Sequence, residues 1–157
     1  MQSWGWILLV VCVGLFLGAE LAAWRADRRR NPERSAIRGQ AITFRLDRVP
    51  VHHARIDGRD KAKGFRGLAL VVREHGVELS HFVPGYLMQL PDWYRNVDDV
   101  VMDIVGREGL DALRLTLRSG DRYDEVWLTP APEERASAWG AMAAVGVSGG
   151  SKTSNPA

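Results

Sequence analysis

The 157-residue sequence predicts a mainly β domain carried on one N-terminal transmembrane helix. Three observations predict it. The stretch WGWILLVVCVGLFLGAELAAW, from Trp4 to Trp24, is almost wholly apolar. From Gln40 to Leu128 apolar residues recur mostly with period two, the spacing of half-buried strands. After Thr129 the period changes to that of a helix. Six or seven short antiparallel strands closed by a C-terminal α-helix make a small β-barrel or sandwich with the helix packed on it.

The first element is the anchor, residues 1–24. As a helix, Trp4–Trp24 is about 31 Å long, the thickness of a bilayer's hydrocarbon core. Trp4 and Trp6 mark one interface and Trp24 the other. Ala22 and Ala23 also suit a signal-peptidase site, but the N-terminus Met1-Gln2-Ser3 lacks the positive charge of a signal peptide. Six arginines follow between Arg25 and Arg38. The positive-inside rule then expects a retained single-pass anchor in the cell (plasma) membrane, with the N-terminus outside and the C-terminal domain in the cytoplasm.

Residues 25–39 read as an Arg-rich juxtamembrane linker, in which Arg25, Arg28, Arg29 and Arg30 face headgroups or simply set the topology. Residues 40–145 hold the β domain. Ile42, Phe44 and Leu46 alternate; Leu68 to Arg73 is a nearly continuous apolar strand, and His75-Gly76 a turn. Val77 to Val83 alternates again, and Val97 to Val105 is a β-branched run. Leu113–Arg118, Ser119-Gly120-Asp121 and Tyr123–Leu128 spell a hairpin. Thr129-Pro130-Ala131-Pro132-Glu133-Glu134 starts a helix with Ala136, Trp139, Met142 and Ala143 on one face and Trp139 as the main plug into the core. Residues 146–157 are polar, Gly/Ser-rich and expected to be a disordered tail.

Charge is unevenly divided. Residues 1–66 hold 13 Lys and Arg against 6 Asp and Glu, and residues 67–157 hold 8 against 13. The basic half adjoins the apolar segment, so the expected anionic partner is a lipid bilayer and not nucleic acid. Arg outnumbers Lys by 18 to 3, which a GC-rich bacterial genome explains as well as phosphate contact does. Cys12, the single cysteine, lies inside the apolar run and forms no internal disulfide.

The stretches GFRGLALVVREHGVELSHF (Gly64–Phe82), WYRNVDDVVMDIVGREG (Trp93–Gly109) and LRLTLRSGDRYDEVWLTPAPEERASAWGAM (Leu113–Met142) carry a resemblance. With the anchor, they make the chain resemble actinobacterial single-pass membrane proteins of unknown function with a pleckstrin-homology-like (PH-like) cytoplasmic domain. That resemblance implies a PH-like small barrel and a non-catalytic scaffold or interaction role. It also implies an alternative, a sensor of anionic lipid headgroups through the basic loop 55–66, in which Arg59, Lys61, Lys63 and Arg66 contact phosphate.

Other candidate sites are weaker. The stretch VPGYLMQLPDWY (Val83–Tyr94) carries Tyr86, Leu87, Met88 and Trp93 outside strand alternation; they either pack on the barrel or form a surface for another membrane or cytoplasmic protein. Adjacent His52 and His53 are expected on opposite strand faces, so no metal site is expected. Ser80-His81 lacks a visible orienting acid, and Asp99 and Asp103 share a face only in a helix. GVSGGSKT (Gly146–Thr153) fails as a phosphate loop because Ser151 separates Gly150 from Lys152. No catalytic residues and no cofactor are expected, and the chain is not expected to be an enzyme.

Overall fold

The structure, a computed structural model, describes residues 3–61, 65–81, 90–107 and 109–150. Helix α1 (Ser3–Arg30) is long and apolar enough to cross a membrane. It runs unbroken past Ala22 and Ala23 and takes in the first half of the expected linker. The second half holds a short helix, α2 (Arg34–Arg38), whose Ile37 is fully buried.

The rest is mainly β, with 46% of the chain in strands. These are β1 (Ile42–Ile56), β2 (Arg59–Lys61), β3 (Phe65–Arg73), β4 (Gly76–His81), β5 (Trp93–Asn96), β6 (Val100–Arg107), β7 (Leu110–Ser119), β8 (Arg122–Leu128) and β9 (Ser148–Gly149). Among the described residues they form one nine-stranded sheet in the order β5-β4-β3-β1-β8-β7-β6-β9, with β2 paired to β1. The pairs are antiparallel except β6 with β9.

This corrects the expected closed barrel of six or seven strands: the sheet is open. Its ends are β5, against which α2 packs, and the two-residue β9. The chain passes from β5 to β6, at the far side of the sheet, through a 3-10 turn at Val97–Asp99. Those three residues are therefore not the start of a strand, as the β-branched run suggested.

Strand β1 holds the two halves together. It pairs with β3 from Ile42 to Val51 and with β8 from Val51 to Arg55. The pairing shifts register between Leu46 and Val49, where Arg48 takes φ 59°. Gly67 lies opposite: a Cβ there would sit 2.2 Å from the Arg48 carbonyl carbon, so only glycine fits. Such a bulge bends a strand. Leu70, Val72 and Leu79 from one half and Leu113, Leu115 and Val126 from the other share one core.

Helix α3 (Pro132–Ala144) adds Ala138 and Met142 to that core. Pro132 opens it, and the Glu134 carboxylate accepts from the Ala131 N–H at 3.1 Å. Its buried face is turned from the expected one. Ala136 and Ala143 are exposed, and Trp139 is only partly buried, beside Gly149 of β9.

Candidate functional site

The junction of α1 with the sheet is built around Asn31, which is 2% exposed. Its amide NH2 donates to the Asp27 carboxylate and to the Asp92 carbonyl, both at 2.9 Å. Its amide oxygen accepts from the Tyr94 backbone N–H at 3.0 Å and from Arg95 Nη1 at 2.9 Å. One side chain thus uses donors and acceptor to tie the helix end to β5. Arg34 and Arg38 of α2 cover the Tyr94 ring at 5.0 and 5.2 Å from its centroid. Burial, with Glu78 and Asp92 nearby, pushes the Tyr94 phenol up to about 12.

The same face carries further buried charge. Arg73 donates to the Glu78 carboxylate at 2.9 Å and to the Gln40 carbonyl at 2.7 Å. Arg95 is 3% exposed, and burial lowers the pKa of its guanidinium. Helix α2 packs against β4 and β5, and the Arg73–Glu78 pair spans β3 and β4.

Beside this joint lies a cleft of about 860 Å³, lined by Arg30 of α1, Asp57, Arg59 and Lys61 of the β1–β2 hairpin, and Arg122 and Tyr123 of β8. The hairpin turns at Asp57-Gly58, with φ 51° and 74°. Both values are positive, as a two-residue turn of this hand requires. Asp57 donates its backbone N–H to the Asp124 carboxylate at 3.0 Å, and Asp124 also accepts from Trp93 Nε1 at 2.8 Å. The buried Asp124 and Trp93 thus fix the turn from below. Above it, the Asp57 carboxylate accepts from Arg30 at 3.0 Å and from Arg122 at 3.4 Å.

The structure thereby brings two of the four expected anion contacts, Arg59 and Lys61, into a cleft with Arg30. Lys63 lies outside the described residues, as does the Arg66 side chain. The expected loop is a hairpin up to Lys61, with Arg55 paired to Asp60 at 3.2 Å. Sequence reasoning missed Arg122. Its signal was the turn Ser119-Gly120-Asp121, which sets Arg122 at the head of a strand bound to β1 only through backbone pairing far from it in sequence. Arg25, Arg28 and Arg29 are exposed on the last turns of α1, Arg28 lying 5.3 Å from the Trp24 ring centroid.

The remaining candidates are placed as follows. Trp93 is fully buried and belongs to the core; Tyr86, Leu87 and Met88 lie outside the described residues. His52 and His53 both lie against the Trp127 ring, 6.4 and 5.4 Å between centroids, and not on opposite faces as expected. A register shift between Val51 and His53 brings them together. Among the described residues no three His, Cys, Asp or Glu side chains cluster as a metal site needs.

His81 does have an orienting acid, which corrects the sequence reading. Asp92, eleven residues on, accepts from its backbone N–H at 2.9 Å and lies 3.1 Å from its Nδ1. Burial opposes ionisation of Asp92, but these two hydrogen bonds from His81 hold its carboxyl below the ordinary value. Asp99 of the 3-10 turn pairs with Arg118 of β7, and Asp103 with Arg114 across β6 and β7.

The chain matches no protein-family model, and no curated protein matches it.

Proposed function

We propose that this chain is a single-pass protein of the bacterial plasma membrane whose PH-like C-terminal domain faces the cytoplasm. There it works without catalysis as a scaffold for another membrane or cytoplasmic protein. The observation that carries this reading is the Asn31 joint. A helix suited to a bilayer runs straight into the domain, and the Asn31 side chain at its end is tied to β5 by hydrogen bonds with Tyr94 and Arg95, to the adjoining Asp92 carbonyl by a third and back to Asp27 of α1 by a fourth. A domain mounted in this way presents a constant surface at constant height above the membrane. The arginines at the helix end support the cytoplasmic placement, since such clusters resist translocation. Anchoring also raises the local concentration of the domain near its partners, which favours weak contacts.

A reporter fused after Ala157 tests the orientation: activity of a cytoplasm-dependent reporter is expected, and activity only of an export-dependent one overturns it. A flexible Gly/Ser insert between Arg30 and Asn31 tests the mounting. It is expected to lower recovery of any partner crosslinked in intact cells while leaving the domain folded in the membrane. Undiminished crosslinking would show that a loose tether serves as well.

A further inference from the structure

We infer that Arg95 holds a small carboxylate-type anion, of the class of formate, acetate or bicarbonate, in the joint between α1 and β5. Arg95 is 3% exposed, and its Nη1 is spent on the Asn31 amide oxygen and the Tyr94 carbonyl. Its Nε and Nη2 are buried with no acceptor among the described residues. These two nitrogens form one edge of the guanidinium, where parallel N–H bonds are spaced for the two oxygens of a carboxylate. The fold therefore buries a cation and leaves its bidentate edge open.

Among the described residues no acid takes that edge. Three carboxylates attract Arg95 through space: Asp124, Asp99 and Glu33. Asp124 accepts from the Asp57 N–H with one oxygen and from Trp93 Nε1 with the other, and Asp99 pairs with Arg118. Glu33, just before α2, forms no ion pair among the described residues and leaves Arg95 untouched. Arg30 is near enough to oppose the Arg95 charge, so the surroundings favour an incoming negative one. A water molecule accepts from such donors but leaves the charge unmatched, and a guanidinium does not shed its proton. Two parallel donors match a planar, singly charged group, and the burial of both favours a small ion over a carboxylate on a larger molecule. With that edge filled, the guanidinium is pinned where Nη1 meets Asn31, and the anion becomes part of the joint.

The site stands on the joint alone and not on the membrane topology. Its test uses the full chain, isotope-labelled, in micelles of an uncharged detergent. The Arg95 Nε–H resonance is assigned through its own side-chain carbons and followed as sodium formate is added. Sodium chloride at equal ionic strength is the comparison. Formate should move the resonance downfield to saturation, and chloride should not. With formate about tenfold above the midpoint, the Tyr94 N–H, which donates to Asn31, should exchange with solvent about tenfold more slowly, because the anion must leave before the joint opens. Arg122→Gln, at an exposed side chain of the cleft, should change neither result. A resonance that ignores formate overturns the site. An equal response to chloride overturns the carboxylate class, and loss of the response in Arg122→Gln moves the anion to the cleft and overturns the Arg95 assignment. A resonance that is downfield before any formate is added, and that Glu33→Gln alone shifts back, shows the chain's own carboxylate on this edge and overturns the bound anion.

Discussion

Asn31 follows three arginines and precedes a proline, a context that reads as a linker. In the folded chain it is the most connected polar side chain of the junction. Asn31→Ala leaves the Asp92 carbonyl, the Tyr94 N–H and one Arg95 nitrogen without this partner in a buried setting. The expected cost is about 3 kcal/mol. Chemical unfolding of the full chain in micelles, followed by tryptophan fluorescence, measures it. A loss under about 0.5 kcal/mol, the range of ordinary surface substitutions, would show that the joint carries no weight. The joint was illegible in the sequence because hydrogen-bond complementarity over sixty residues leaves no periodic trace. The same holds for His81 and Asp92: the acid was present in the sequence, but only the β4–β5 pairing brings it near.

At the scale of elements, what repeats locally was legible and what depends on a distant partner was not. The hairpin of β7 and β8 was read almost residue for residue, because Leu113, Leu115 and Leu117 alternate cleanly and Gly120 supplies a turn with φ 60°. Strand β1 was read only as far as Leu46. Beyond it the bulge at Arg48 breaks the alternation, and buried positions fall at Val49, Val51, Ala54 and Ile56, with a skipped residue between Val51 and Ala54. Helix α3 was located correctly, yet its face was misjudged because two alanine-rich stripes compete and only the sheet decides between them. Gly67→Ala tests the bulge. The added methyl would overlap the Arg48 backbone, which cannot retreat without unpairing β1 from β3. A loss of about 3 kcal/mol is expected in the same unfolding assay, and a neutral result would show that β1 runs differently there.

For the whole molecule, the mainly β character and the apolar N-terminal helix were legible, whereas the open edge was not. Closure depends on whether the first and last strands meet, and local patterning does not encode that. Acid sensitivity also belongs to this scale. Asp92 has a folded-state pKa below its ordinary value of 3.8, so its contribution to stability is complete above that value. It is lost as the pH falls through the folded-state pKa. Wild type should therefore lose more stability between neutral pH and pH below about 4 than Asp92→Asn does. Thermal unfolding across that range compares them, and parallel curves would remove Asp92 from the account.

The buried joint at the end of α1 has a consequence for encounter. A domain on a loose tether tumbles in three dimensions, and each association must freeze its tilt, height and roll. With α1 in a bilayer and the joint closed, tilt and height are already set, leaving rotation about the membrane normal and drift in the plane. Much of the orientational entropy that docking would otherwise cost is thus given up once, when the protein folds. Even a small contact area then suffices to hold a neighbour in the same membrane.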